Sequence, residues 1–581
     1  MSNQVFMATL EQDAVIHHVG SAFITACPGA GKTRVMVERA RKILGNNYDG
    51  SGVAFLSFTH GAVAELKKRL QRGAILGSPV FPHFIGTFDS FIWQFIVAPF
   101  GIPGVDAKPR LIPDKGSRTV QPFDKAQPLP LSCFHRSTGK IIPAAAIRNG
   151  FDVGKKTLAH IKASETSAQK MFTRFRERGE LDFDEARDLA LIRLADEDFS
   201  ARFSSVIAAR FSEIIVDEAQ DCNSADLAII TWLRSAGIPT KIICDPHQSI
   251  YEFRGGVTDQ LFSFADSFEK KDQLVMNGNF RSSGNICKAI VMLRAAESRH
   301  NVDESLGKFK EEKGHVYILS YAGTSVTSAI GRKFVELLND QDIDVVCAPV
   351  LAATKNSGFN AIGQPVIKAK RDLTFRVAEA VSDFYFAFES RDQKSAIEEM
   401  HKVILELEGR MTGKTYQQCI ATYDLKPDEW RPQVLYLLRS LRYDPDAFSN
   451  ADAWHSRAKE LLEPYLSAGS LSISQKLKRN TEISDILAPA PAASPPAKTI
   501  HSVKGMEFPA VCVVTTAQTL KGILDYLETG EPKEKAETAR ELYVAASRAQ
   551  RLLAIGVPKS QSERFASHLR TLGAAVTVVN I

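Results

Sequence analysis

Ala22-Phe23-Ile24-Thr25-Ala26-Cys27-Pro28-Gly29-Ala30-Gly31-Lys32-Thr33-Arg34-Val35-Met36-Val37 is the stretch on which the reading of this chain turns. A short apolar run, Ala22–Thr25, leads into a loop of small residues, and an amphipathic segment follows, which reads as strand, loop, helix. Small residues let successive backbone N–H groups wrap a phosphate, and the N-terminus of the following helix adds the positive end of its dipole. In that setting Lys32 reaches the β- and γ-phosphates and the Thr33 hydroxyl can ligate Mg²⁺. Chance supplies roughly 0.04 such strings in a chain of this length at average composition. Residues Ala26, Cys27, Pro28, Gly29, Ala30, Gly31, Lys32 and Thr33 are therefore assigned to a nucleotide site.

Working outward, the runs Val53–Phe58, Ile214–Val216, Lys241–Cys244, Val345–Cys347, Ala510–Thr515 and Leu552–Ile555 are predicted as further buried strands, each followed by an amphipathic stretch. Repeated strand-then-helix order predicts an α/β fold with parallel sheets. The rhythm breaks over 95–205, which turns helical and basic, and over 351–496, which is mainly helical and ends in a Pro/Ala-rich linker. Two α/β cores, each interrupted by a helical insertion, fit this pattern. Ile214-Ile215-Val216-Asp217-Glu218 is an apolar strand ending in two acids, one suited to Mg²⁺ and the other to polarising an attacking water. Gly409-Arg410-Met411-Thr412-Gly413-Lys414-Thr415 imitates a phosphate loop. It is one residue short and follows a helical segment, so it is rejected.

Composition limits the alternatives. The 581 residues are 44% hydrophobic and 24% charged, enough to bury several cores. No apolar run approaches the ~18 residues of a membrane span, and Met1–Leu10 lacks a basic-then-apolar signal, so a cytoplasmic chain is expected. The eight cysteines form no CxxC pair, which argues against zinc ribbons, iron–sulfur clusters and disulfide frameworks. Net charge is only +5, but residues 108–180 hold 15 Lys/Arg against 6 Asp/Glu, a block suited to a polyanion.

Further motifs extend the reading. Asp217-Glu218-Ala219-Gln220-Asp221 and Asp245-Pro246-His247-Gln248-Ser249-Ile250-Tyr251-Glu252-Phe253-Arg254 resemble the second and third motifs of UvrD/Rep-type superfamily 1 helicases. The family's other motifs follow in order: Thr9-Leu10-Glu11-Gln12, Phe58-Thr59-His60, Gly86-Thr87-Phe88-Asp89, Asn279-Phe280-Arg281-Ser282, His501 to Phe508, and Leu542 to Ala549. The resemblance implies two RecA-like cores with ATP in the cleft and single-stranded DNA across their top. It divides the chain into core 1 (1–95 and 205–270) around a basic insertion 1B (96–204). Core 2 (271–350 and 497–581) then surrounds insertion 2B with its linker (351–496).

By the same resemblance Gln12 reads the adenine edge, Arg34 and Phe280 hold the base, and Glu507 binds the ribose. Gln248, Arg281 and Arg548 face the γ-phosphate, and Asp217 with Thr33 holds Mg²⁺. Phe58, Thr59, His60, Thr87, Phe88, Tyr251, Phe253 and Arg254 match the DNA-contacting positions. The chemistry agrees independently: guanidinium forks suit the charge of a transferring phosphoryl group, and aromatic stacking binds bases of any sequence.

The sequence departs from the family at Asp89, where many relatives have His, at Phe253 in place of Trp, and at Phe280 in place of Tyr. Only 33 residues follow Arg548 and the second insertion is short, so a compact helicase without a fused nuclease is expected. The reading is an ATP-driven helicase moving 3′→5′ on single-stranded DNA. The alternative is a DNA- or nucleotide-sensing ATPase that regulates a partner nuclease and unwinds poorly. Compact UvrD-like chains of that kind include the B subunit of the Gabija anti-phage system.

Overall fold

A computed structural model describes residues 7–46, 50–73, 75, 80–113, 115–123, 126–250, 258–364, 372–386, 393–412, 416–423, 425–444, 448, 450–479, 483 and 494–581. They fall into two compact units, one of residues 1–96, 187–364 and 490–581, the other of 97–186 and 365–489.

The first unit holds two six-stranded sheets, and all their pairings are parallel. The strands of the first are β1 (Ala22–Ala26), β2 (Gly52–Ser57), β3 (Phe84–Thr87), β4 (Phe211–Val216), β5 (Thr240–Cys244) and β6 (Gln273–Met276), in the order β6-β1-β5-β4-β2-β3. Those of the second are β7 (His315–Tyr321), β8 (Val350–Ala352), β9 (Ala497–Thr499), β10 (Phe508–Val514), β11 (Ala549–Pro558) and β12 (Val576–Asn580), in the order β9-β8-β10-β11-β7-β12. Residues buried on both faces explain why these strands read as continuous apolar runs; all six residues of β2 are buried.

Two sequence-based assignments are corrected here. Val345–Cys347 is a single 3₁₀ turn, because the Asp344 carboxylate accepts the Val346 N–H at 3.1 Å and caps it. The strand lies just beyond, at Val350–Ala352. The division at 271 also falls early: β6 pairs with β1 and completes the first sheet.

A buried ion pair and two carbonyl acceptors fix the helix that follows the phosphate loop, Lys32–Asn46. Its Arg39 donates to Glu213 on β4 and to the carbonyls of Val15 and Ile16 at the end of helix Leu10–His17. Three elements of the first core are thereby locked beneath the site. Among the described residues, no helix is long and apolar enough to cross a membrane.

The second unit is mainly helical. In its 97–186 part, helix Leu158–Glu177 packs over a small core that includes Phe134 and Phe151. Not all of the basic block faces solvent: Lys115 is buried, bonded to both Glu185 oxygens at 2.7 and 2.6 Å, and lies over the Phe175 ring. In the 365–489 part, helices Leu373–Phe386, Lys394–Leu407, Pro427–Ser440 and Ala451–Leu462 share a core centred on Met400, Leu438 and Trp454. The rejected loop follows the helix Lys394–Leu407, and its last three residues, 413–415, lie outside the described residues.

Candidate nucleotide site

Three adjacent strands of the first sheet deliver the site at their C-terminal ends. β1 runs into the phosphate loop, where Gly29 (φ 74°) and Gly31 (φ 79°) adopt the left-handed conformation that a side chain resists. A Cβ on Gly29 would also meet Arg281 Cβ at 2.6 Å, so the loop depends on a bare backbone there. Lys32 and Thr33 open the helix that follows. Gln12 braces the loop: its amide oxygen accepts from Thr9 N at 3.2 Å and its amide nitrogen donates to Ala30 O at 3.0 Å. One N–H of that amide remains for an adenine edge.

β4 ends at Asp217 and Glu218. Glu218 sits at φ 58°, a left-handed conformation that costs a non-glycine residue about 1–3 kcal/mol and is characteristic of functional sites. Its carboxylate lies 3.9 Å from Lys32 Nζ and accepts from the Gln220 amide. Burial alone would raise the Glu218 pKa. Lys32, Lys504, the Gln220 bond and Arg548 overcome burial and hold it low, so Glu218 is ionised. The Asp217 pKa is pushed up, first by burial and then by the Glu218 charge. Its Oδ1 is buried and, among the described residues, has no hydrogen-bond donor. A buried acid oxygen lacking a proton donor suits a cation, so Thr33 and Asp217 fit the demands of a Mg²⁺ site. The Lys32 ammonium loses stability through burial but gains more from Glu218, Asp217 and Asp245, and its pKa is raised overall.

β5 ends at Cys244 and leads to Asp245 and Gln248. Across from them, the second core contributes its residues just before β10 and β11. Arg548 is 2% exposed and donates to Gln248 Oε1 at 2.5 Å and to Val544 O at 2.9 Å. Burial, and then the like charge of Arg281, lower its pKa to about 9, which still leaves a cation at neutral pH. Arg281 donates to Glu507 at 2.8 Å and to Ser547 O at 2.9 Å. Both guanidinium groups thus lie at the C-terminal end of helix Ala536–Ala546, whose partial negative charge favours cations.

Residues 7–269 match the UvrD/REP helicase N-terminal domain, and residues 491–560 match the UvrD-like helicase C-terminal domain. The chain belongs to the UvrD-like helicase family. Similar proteins include the ATP-dependent DNA helicase UvrD1 of Mycobacterium tuberculosis, 25% identical over 48% of this chain and 38% of the relative. Others are the ATP-dependent DNA helicase Rep of Escherichia coli (26% identical, 49% of this chain and 42% of the relative) and the ATP-dependent DNA helicase PcrA of Staphylococcus aureus (24%, 49% and 39%). The match spans about two fifths of each of these curated relatives.

In this UvrD-like chain the remaining family positions are distributed unevenly. Phe280 is partly exposed and its N–H donates to Gly29 O at 2.9 Å, so it stands beside the phosphate loop. Arg34 is half exposed and faces Glu38 at 3.4 Å. Glu507, assigned by resemblance to a ribose, is engaged with Arg281.

At the candidate DNA face, Phe58 is half-buried and Thr59 caps helix His60–Arg72 through Ala62 N at 3.2 Å, while His60 is exposed. Two of the matching positions face inward: Phe88 is fully buried and stacks under Phe58 with ring centroids 5.4 Å apart, and Thr87 is 7% exposed with its hydroxyl capping Ser90 N. Both turn inward because they terminate a buried strand and start a helix. Tyr251, Phe253 and Arg254 lie outside the described residues. Asp89, which stands in place of histidine, is bonded to Arg187 at 2.5 Å, and Arg187 also holds Asp226 at 2.7 Å.

Sequence reasoning missed contacts across the two cores, among them an ion pair. Lys504 donates to both Asp221 oxygens at 2.7 Å, and the pair is nearly buried. Asp221 closes the motif 217–221 and Lys504 lies in the motif 501–508, but 283 positions separate them and no spacing rule connects them.

Proposed function

We propose that this chain is an ATP-dependent DNA translocase and helicase that moves 3′→5′ on single-stranded DNA. The observation that carries the reading is the bond from Arg548 to Gln248. It brings a cation of the second core to the site that holds Lys32, Asp217 and Glu218. A site assembled from two cores can couple hydrolysis to relative motion of those cores, which a single-core ATPase cannot do.

Lys32 and the backbone N–H groups of the loop bind the β- and γ-phosphates, and Gln12 and Phe280 hold the base. Glu218, ionised and fixed by Gln220, orients the attacking water towards the γ-phosphorus. Gln248, Arg281 and Arg548 neutralise charge on the transferring phosphoryl group. Thr33 and Asp217 would hold Mg²⁺, which offsets phosphate charge when bound. DNA would stack on Phe58 beside Thr59 and His60, with the basic segment 108–180 contributing phosphate contacts.

The test is ATP hydrolysis with and without single-stranded DNA, together with displacement of duplexes tailed at 3′ or 5′. Hydrolysis stimulated by DNA and displacement from the 3′ tail support the reading. Preference for the 5′ tail, or hydrolysis indifferent to DNA, contradicts it. Stimulated hydrolysis without displacement from either tail supports instead an ATPase that regulates a partner nuclease.

A further inference from the structure

Behind Gln248 lies a buried polar chain that the proposed chemistry does not use. Its anchor is Arg294, whose Nη2 bonds both Asp303 oxygens at 2.7 and 2.6 Å and whose Nη1 donates to Asn301 O at 2.9 Å. Arg294 also donates to the hydroxyl of fully buried Tyr543, from Nε at 3.2 Å and from Nη2 at 3.0 Å. A guanidinium accepts no hydrogen bond, so the phenol proton must point elsewhere. The acceptor in reach is Asp245 Oδ2, at 3.4 Å.

That oxygen also accepts Gln248 Nε2 at 2.7 Å. A carboxylate only accepts, so Asp245 fixes which way the Gln248 amide faces: its NH₂ lies towards Asp245 and its oxygen towards Arg548. The reversed amide would set N–H against N–H at Arg548. Asp245 further donates its backbone N–H to Gln220 Oε1 at 3.1 Å, and Gln220 holds Glu218. The chain Asp303–Arg294–Tyr543–Asp245 therefore starts in the second core and ends directly on Gln248 and, through Gln220, on Glu218. His247 packs edge-on against Tyr543 at 5.8 Å and is kept neutral by burial, so it adds no competing charge.

We infer that Tyr543 is a positioning residue for hydrolysis: held by Arg294, its hydroxyl fixes Asp245 and through it the orientation of Gln248. The Arg294–Asp303 pair alone would satisfy the fold, since Arg294 holds both Asn301 O and Asp303 and so fixes the segment that leads into the short strand Glu304–Ser305. What the fold does not require is a phenol that gives both its acceptor sites to Arg294 and leaves its proton for the other core. Two N–H donors on the phenol oxygen also strengthen its O–H as a donor.

The inference rests on the proposed ATP hydrolysis, and the experiment separates the two. Tyr543→Phe removes one oxygen atom from the full-length chain. DNA-stimulated kcat is expected to fall ~10-fold, the scale of one hydrogen bond to a charged group. KM for ATP should stay within about two-fold, because ground-state binding is untouched. The same substitution in a Gln248→Ala background should cost less than about two-fold, since the group it positions is gone. Arg294→Lys, which keeps the charge beside Asp303 but cannot fork onto the phenol, should give the same kcat-selective loss and guards against misfolding of the first variant. An unchanged kcat in Tyr543→Phe overturns the inference, as does an equal loss in both backgrounds. A wild-type chain that hydrolyses no ATP overturns the proposed function instead.

Discussion

In the first core, β1, β5 and β4 lie side by side and present their C-terminal ends, which carry Lys32, Asp245 with Gln248, and Asp217 with Glu218. In the second core Glu507 comes just before β10 and Arg548 just before β11, while Arg281 follows the short strand Gly278–Asn279. The two sheets share parallel topology, yet they turn opposite ends to the candidate site. The C-terminal ends of strands lead into helix N-termini, which suit phosphate. The second core instead offers the C-terminal end of helix Ala536–Ala546, which suits arginine. In the proposed function one core holds the anion and the other brings cations to it. Each can be disabled separately.

The largest expected effect is on the cation side. Arg548→Ala should lower DNA-stimulated turnover ~10³-fold or more, the scale of an arginine finger, and Arg548→Lys should restore little, because a point charge cannot replace the planar fork. Steady-state hydrolysis with saturating DNA measures both. If Arg548→Ala turns over within a few-fold of wild type, the second core is not part of the reaction.

On the anion-holding side, Glu218→Gln keeps the side chain's size and removes its charge. Turnover should fall at least ~100-fold while ATP remains bound, as expected for a water-orienting carboxylate. Equilibrium binding and turnover measured on the same preparation separate the two effects, and normal turnover would remove Glu218 from its role.

The smallest effect belongs to the basic segment in the other unit. Lys155 is 83% exposed and pairs with Asp152 at 3.1 Å, while Lys156 lies over the Phe151 ring. Replacing both with Ala should weaken DNA binding and flatten the slope of log K against log salt by up to ~2, one unit for each lost phosphate contact. An unchanged slope would mean that these lysines form a solvated face.

This asymmetry also explains what could be read from the sequence. The phosphate loop and the Asp217-Glu218 pair are local: strand, turn and helix carry their chemistry within a few residues, so Lys32, Thr33, Asp217 and Glu218 were visible in the string itself. Arg281 and Arg548 were visible only as members of motifs. The pairings that assemble the site were invisible, because Arg548–Gln248 and Lys504–Asp221 bridge 300 and 283 positions. A motif marks a position but not whether its side chain is exposed or lies beneath a neighbour, and the sequence does not show that Phe88 lies under the Phe58 ring. Val345–Cys347 misled because its β-branched pattern matches a strand, whereas Val346 is 75% exposed on a capped turn.

The central claim is that Arg548 of the second core meets the γ-phosphate held by the first. Paired dissociation constants for ADP and for a non-hydrolysable ATP analogue, in wild type and in Arg548→Ala, test it most directly. Wild type should hold the analogue more tightly than ADP. Arg548→Ala should erase that preference while changing ADP affinity by no more than about two-fold, because ADP lacks the phosphate that the guanidinium contacts. A variant that keeps the wild-type preference for the analogue would contradict the account.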